Sequence, residues 1–386
     1  MKKDIAPLIE KELVSGDLAG ASLCVVKDGR TALRADYGCA DLAARRPMPP
    51  DGIFRLYSLT KTVTSAAAMI LLERGVVDLP DPVSKYLEGF RGQRYYDGDT
   101  PRPVGRECTV RDLLNMTSGL VYPDEDAAGR DMDGVFADGL RRARWGEALS
   151  TVEFCNRIGR SPLAFEPGTH WRYGTSADVL GAVVEVASGK PFRQFLKDEI
   201  FTPLGMEDTD FFIPAEKRGR AVTIYRHHGG EKPLSPYTGS HLLIFDDGRC
   251  PAFASGGAGL FSTVGDYAKF ANVLLTGGDH GVRILGRKTL HFMRSNQLTP
   301  AQRADLWPNL AGYGYGNLMR VMTDTAEGMT NGSVGEFGWD GWAGTYAAID
   351  PAEKLILLFF ISRIDRDTTD FRRRLRAVVY GCLDEL

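Results

Sequence analysis

No run of about 18 uninterrupted apolar residues occurs in this chain, so nothing in it reads as a membrane-spanning helix. The six cysteines (Cys24, Cys39, Cys108, Cys155, Cys250 and Cys382) form no CxxC pair, which argues against a zinc site or a disulfide framework. Charge of one sign is also lacking. Lys plus Arg number 47 against 50 Asp plus Glu, a net −3, and neither nucleic acid nor an anionic membrane is indicated as a partner. The basic run "RRRLR" at 372–376 is short and is expected to be a solvated helix face. The start, "MKKDIAPLIEKELVSG", carries two early lysines but no apolar stretch, because Asp4, Glu10 and Glu12 interrupt it. It reads as an amphipathic helix and not a secretory signal, so the expected setting is soluble, reducing and cytoplasmic.

Several catalytic signatures are missing as well. No serine sits in Gly-x-Ser-x-Gly, as a nucleophile elbow requires. Gly189-Lys190 is followed by Pro191, so there is no P-loop. The stretch "DEDAAG" opens like a calcium loop but has Ala128 and Val135 where ligands would stand. His227 and His228 are adjacent, not one helical turn apart, and no HExxH occurs. No glycine fingerprint follows a strand to hold a dinucleotide. Neither a metal nor a cofactor is expected.

What is present has a clear order. At 386 residues the chain exceeds the size of most single cores, so one large or two intimately joined domains are expected. "GASLCVVKDGRTALRADYGCAD" reads as two strands around an Asp28-Gly29 hairpin turn. "GTYAAIDPAEKLILLFFIS" reads as strand, Asp-Pro turn, strand, with a helix from about Asp367. Between them lie helices and loops, including "TVRDLLNMTSGL" with Thr109 as N-cap and Gly119 as stop, and two helices parted by Ser188 to Pro191. The polar, Gly-rich stretch 121–150 is expected to be a surface excursion near a site. The class is therefore mixed α/β (α+β). One antiparallel sheet is built from both chain ends, flanked by the terminal helices, with a mostly helical lobe inserted. The expected division is 1–57 with 255–386 against 58–254, and the site lies at their junction.

The segment "FRLYSLTKTVTSAAAMILLERG" (54–75) is apolar all round after its first turn, as a buried helix is. Ser58 and Lys61 stand three apart on it and share a face. A serine hydroxyl needs a neighbour to take its proton before it attacks. A lysine whose pKa is lowered by burial can be that neighbour. A helix N-terminus also points backbone N–H groups at the reacting centre. Ser-x-x-Lys alone arises by chance in most chains of this length, but further pieces follow in order. They are "LLNMTSGL", "HWRYGTSADVLGAVVEVASGKPF" with Tyr173 before a helix, "PLGMEDT", "GGAGLFST", and "GEFGWDGWAGTYAAIDP" with Trp339-Asp340-Gly341 at a strand entry.

From about residue 20 to 380 this order strongly resembles the class C β-lactamase-like serine hydrolases, which include carboxypeptidases, D-amino acid amidases and family VIII carboxylesterases. The resemblance implies a β-lactamase/transpeptidase-like fold. It implies Ser58 as the acylated serine, Lys61 as its partner, and Tyr173 as the tyrosine that relays protons. The backbone N–H groups of Ser58 and Trp342 would form the oxyanion hole. Trp339-Asp340-Gly341 stands where lactamases carry Lys-Thr-Gly, and Tyr173-Gly174-Thr175 where they read Tyr-x-Asn. Both departures remove polar groups that would hold a β-lactam, and they look most like the esterase and acyltransferase branch. Lys61 and Tyr173 are expected to form one hydrogen-bonded unit in which either can take the first proton.

Trp339, Gly341, Thr175, Tyr122 and Trp171 are the expected substrate-binding residues, with packing the alternative for Trp339, Tyr122 and Trp171. Asp178 is expected to cap or brace the helix after Tyr173. The expected activity is ester hydrolysis through an acyl-enzyme on a small-molecule substrate, foremost on short-chain esters. The alternatives are a D-amino acid amidase or D-aminopeptidase, a D-alanyl-D-alanine carboxypeptidase, a weak β-lactamase and an acyltransferase. From a different class comes a non-catalytic binding or filament-forming scaffold. The oligomeric state is open.

Overall fold

The computed structural model describes every residue except 231–233, 280 and 386. Both chain ends build one eight-stranded sheet. The first part of the chain supplies β1 (Gly20–Lys27), β2 (Arg30–Asp41) and the short β3 (Arg46–Pro47). The last part supplies β4 (Tyr313–Gly316), β5 (Met319–Met322), β6 (Phe337–Asp340), β7 (Tyr346–Asp350) and β8 (Leu355–Ile361). The order is β4-β5-β6-β7-β8-β1-β2-β3, antiparallel at every pairing. The β1–β2 turn has positive φ at both Asp28 and Gly29, the backbone that an Asp-Gly hairpin turn requires.

β8, "LILLFFI", is buried at every position, because both sheet faces are covered. Leu355, Leu357 and Phe359 meet the terminal helices, α1 (Lys2–Val14) through Ile5 and Ile9 and α8 (Thr369–Gly381) through Leu375 and Val379. Ile356, Leu358 and Phe360 face the other way, into the main core shared with the inserted helices. A one-residue slip would exchange these sets and expose neither to a fitting partner.

The main-core helices are α2 (Thr60–Glu73), α3 (Val110–Asn115), α4 (Ala127–Arg144), α5 (Thr151–Arg160), α6 (Ser176–Ser188) and α7 (Val264–Thr276). In α2 every residue from Thr60 to Leu71 is buried, the apolar run from Ala66 to Leu71 and the polar first turns alike. α3 starts on a capping box between Thr109 and Asp112, but it ends at Met116 (φ 56°), three residues before Gly119. α6 stops at Gly189 (φ 68°), and a short helix Phe192–Leu196 follows. No helix among the described residues is long and apolar enough to cross a membrane.

Two expectations need correction. The 121–150 stretch is largely the helix α4, capped by Asp126 and buried through Met132 and Phe136. Glycines at 129, 134 and 139 lower its helix propensity and hide it from a reading of composition. Space requires two of them, since a Cβ on Gly129 would lie 2.5 Å from Asp124 and one on Gly139 2.9 Å from Phe154. The 372–376 run is not a uniform solvated face either. Arg374 is exposed, but Leu375 and Arg376 are buried in the packing against the sheet. Arg376 pairs with the fully buried Glu336 and donates to the Tyr313 hydroxyl at 2.9 Å, while Arg372 pairs with Asp340 at 2.7 Å. A buried carboxylate needs such a partner, and these arginines supply it.

Candidate active site

Ser58 sits on a single 3₁₀ turn, Tyr57–Leu59, that leads directly into α2. The preceding Tyr57 has φ 45°, a left-handed backbone that costs a non-glycine residue about 1–3 kcal/mol and tends to mark functional segments. One turn on, Lys61 is fully buried. Its Nζ lies 3.1 Å from Ser58 Oγ, 3.0 Å from the Tyr122 hydroxyl and 2.8 Å from the Gly257 carbonyl. None of the three carries a charge. Burial lowers the ammonium pKa from 10.5 to about 7, against a smaller upward pull from the carboxyl of Asp178.

Gly257 belongs to "GGAGLFST", and Asp178 holds that loop in place. The Asp178 carboxylate accepts from Ser255 Oγ at 2.5 Å and from the Gly257 N–H at 3.0 Å. Of the two expected roles it takes the bracing one, tying α6 to the 255–257 loop, and it does not cap the helix. Burial raises the Asp178 pKa, and the Lys61 charge opposes that rise. A Cβ on Gly257 would lie 2.5 Å from Asp178, and one on Gly256 2.4 Å from the Ala177 carbonyl, so only glycine brings the loop this close.

Tyr173 lies across the cleft from this loop, with its hydroxyl accepting the indole N–H of Trp339 at 3.0 Å. Burial pushes the Tyr173 phenol well up, and hydrogen bonds from Ser58 and Trp339 oppose this. Lys61 presents its Nζ to the Tyr173 ring face, 4.6 Å from the centroid, and its hydrogen bond to a tyrosine goes to Tyr122 instead. Lys61 and Tyr173 therefore join in one hydrogen-bonded unit through Ser58, which lies 3.1 Å from Lys61 Nζ and hydrogen-bonds the Tyr173 phenol, and not by a direct bond. Trp339 is both packing and lining: it is buried against Tyr173 and Tyr315 and borders the cavity.

The cavity over Ser58 holds about 850 Å³, and Tyr122, Tyr173, Trp339, Gly341 and Trp342 border it. Thr175 and Trp171 do not. Thr175 is fully buried just before α6, where its carbonyl accepts the Asp178 and Val179 N–H groups. Trp171 is buried behind the cavity, with its ring 5.4 Å from both Trp307 and Tyr315. Both are corrections, and they share a cause. A substrate-facing position in a loop depends on where the loop folds, and spacing from Tyr173 does not reveal it.

Gly341 opens a turn closed by the Gly344 N–H on the Gly341 carbonyl at 2.8 Å. A Cβ on Gly341 would lie 2.2 Å from the Leu56 carbonyl, so glycine is what lets this turn dock beside the Ser58 segment. The next residue, Trp342, stacks on His241 at 4.0 Å and meets Tyr57 edge-on at 5.2 Å. Sequence reasoning missed Tyr57, His241, Leu242, Leu243 and Trp307 as cavity walls. Tyr57 adjoins the Ser58 motif and could have been found from it, while His241, Leu242, Leu243 and Trp307 stand in no periodic pattern or motif.

With this geometry in place, comparison with known proteins decides the family. The model of the Beta-lactamase family matches residues 5–380. The chain belongs to that family. Esterase EstB of Burkholderia gladioli is 30% identical over 358 residues, 88% of this chain and 85% of that protein. Protein Rv1367c of Mycobacterium tuberculosis is 31% identical over 360 residues, 90% of this chain and 86% of that one. Among solved structures, EstCE1, described as a hydrolase with promiscuous acyltransferase activity, superposes with a TM-score of 0.80 at 25% identity, covering 98% of both chains. The chain is thus a member of the class C β-lactamase-like serine hydrolases, with affinity to their esterases.

Proposed function

We propose that the chain is a carboxylesterase that acylates Ser58 and acts on short-chain esters. The observation that carries this reading is the contact set of Lys61. A neutral lysine has two N–H bonds and one lone pair. The Gly257 carbonyl can only accept and takes one N–H, and the Tyr122 hydroxyl takes the second. The lone pair is then left for the Ser58 proton at 3.1 Å. A pKa of about 7 keeps that amine neutral at mildly alkaline pH, where it serves as general base.

Ser58 Oγ attacks the ester carbonyl as its proton passes to Lys61. The backbone N–H groups of Ser58 and Trp342 receive the oxyanion. Trp342 holds the second position of the Gly341–Gly344 turn, and its N–H lies outside the closing bond and has no acceptor among the described residues. The tetrahedral species collapses, the acyl C–O bond to the alcohol breaks, and the alcohol oxygen takes the proton that Lys61 gained, with the Tyr173 hydroxyl beside Ser58 positioned to hydrogen-bond that oxygen as it leaves. Water attacks the acyl-enzyme by the same path in reverse. This reading places the site between the two expected units, 58–254 with Ser58 and Lys61 and the remainder with Trp339 to Trp342. A scaffold has no use for a buried lysine with neutral partners, which supports an enzyme over that alternative.

The third motif favours esters over β-lactams. Trp339 offers an indole surface suited to a neutral group. Arg320 and Arg372 beside that motif are engaged by Asp340 at 3.2 and 2.7 Å, and the other arginines at the cavity, Arg363 and Arg366, are engaged by Glu12 and Asp17. A charge-assisted bond to a substrate carboxylate contributes about 1.5–3 kcal/mol, or roughly 10- to 150-fold in rate. Steady-state kcat/KM for p-nitrophenyl acetate and butyrate, set against a chromogenic cephalosporin, tests the assignment. The esters are expected to win, and a faster cephalosporin makes the chain a lactamase with an altered third motif.

A further inference from the structure

A second cavity of about 580 Å³ adjoins the catalytic one and has no part in the chemistry above. Its walls combine the apolar Leu149, Phe154, Phe211, Phe245 and Phe253 with the charged Arg144, Asp247 and Arg249. The two cavities share Ser240 and Leu243 as a common wall. Leu243 belongs to a tight turn, His241 to Ile244, closed by the Ile244 N–H on the His241 carbonyl at 3.0 Å. Both central residues have positive φ, 53° at Leu242 and 61° at Leu243. Hairpin turns of this backbone are ordinarily given to Gly, Asn or Asp. Two leucines there are strained, and such strain persists only where the surroundings demand it.

The surroundings here are specific. A Cβ on Gly139 of α4 would lie 3.0 Å from Leu243 Cδ1, so the helix leaves a notch in which the Leu243 side chain rests. Glycines would make the turn without strain but would leave the wall open. The leucines are therefore present for their side chains, and that of Leu243 separates the catalytic cavity from the chamber behind it, whose floor carries a cluster of phenylalanines.

We propose that this chamber is an acyl-chain subsite and that Leu243 is its gate, a reading that rests on the serine-hydrolase assignment above. The tetrahedral intermediate on Ser58 must turn its leaving oxygen toward the proton donors Lys61 and Tyr173. Tyr173 is walled by Trp307 and Trp339. The acyl substituent leaves the centre away from that wall, toward the side closed by Tyr57, His241 and the leucine turn. A short acyl group fits the first cavity. A longer one gains by displacing Leu243 and entering the second, where each methylene removed from water is worth roughly fourfold in kcat/KM.

The test uses p-nitrophenyl acetate, butyrate and octanoate on the whole protein, its Leu243→Ala variant and its Ala143→Phe variant. Ala143 lines the second cavity only, so phenylalanine there fills the chamber without touching the first. A parallel series, ethyl and octyl acetate, carries the long chain on the alcohol instead. The octanoate-to-acetate ratio of kcat/KM is expected to rise at least tenfold in Leu243→Ala and to fall at least tenfold in Ala143→Phe. The octyl-to-ethyl acetate ratio should move less than threefold in either. If neither acyl ratio moves while acetate is still hydrolysed, the subsite is overturned and the esterase reading stands. If the octyl acetate ratio moves instead, the chamber takes the alcohol and the acyl assignment is wrong. If the unsubstituted protein turns over no ester at all, the carboxylesterase reading falls and the subsite with it.

Discussion

Lys61 and Arg376 are both long cationic side chains taken almost wholly out of water, and the fold treats them in opposite ways. Arg376 meets a carboxylate, Glu336, inside a network in which the Tyr380 hydroxyl reaches Asp350 at 2.7 Å and Glu336 at 2.9 Å. Lys61 meets a hydroxyl, a phenol and a carbonyl, and its nearest carboxylate, Asp178, is spent on Ser255 and Gly257. Pairing keeps the arginine charged and makes it architecture, tying the C-terminal helix to the sheet. Withholding a counter-ion makes the lysine a base, because desolvation then acts with little opposition. Burial of a charge by itself says little about function, and the identity of the partner says much more.

The largest effect expected from breaking this contrast is at the serine the lysine serves. Ser58→Ala should lower kcat by ~10³-fold or more, since loss of a nucleophile leaves only binding and the oxyanion site. At the architectural cation the loss should appear in stability and not in turnover. Arg376→Ala strands Glu336 as an uncompensated buried charge and should cost about 3–5 kcal/mol, read from urea unfolding, with kcat per folded molecule unchanged. A fall in kcat with stability intact would mean that Arg376 belongs to the site. Lys61→Ala and Tyr173→Phe should each lose ~10²-fold or more in kcat. If they share one proton path through Ser58, the double variant will be little worse than either single one. Losses that multiply would show two independent paths. The smallest effect belongs to Trp339→Phe, which removes one hydrogen bond to Tyr173 and should slow turnover by up to about tenfold. No change would reduce Trp339 to packing.

The two regions were not equally legible in the sequence. β1 and β2 with their Asp-Gly turn, and β7 and β8 with their Asp-Pro turn, are local patterns, and pairing them into one sheet follows from economy. Ser58 and Lys61 are legible for the same reason, since three residues on a helix fix their proximity. Tyr122 and Gly257 meet Lys61 across 61 and 196 residues, and no spacing rule reaches that far. Thr175 and Trp171 stand beside Tyr173 in the chain, yet the loop turns both into the core. The basic run 372–376 was hardest to read, because a stretch of arginines on a helix looks solvated until the buried Glu336 and the partly buried Asp340 are placed opposite it.

The claim that Lys61 activates Ser58 as a neutral base has one direct test, the pH dependence of fluorophosphonate labelling followed by intact mass and peptide mapping. The folded pKa of Lys61 lies below its free value, so the neutral amine is populated above about pH 7 and lost as pH falls through it. One adduct is expected, on the peptide carrying Ser58, with a labelling rate that rises through about pH 7 and levels off above it. An adduct that persists in Ser58→Ala, or a rate that stays flat from pH 5 to 9, would contradict the assignment.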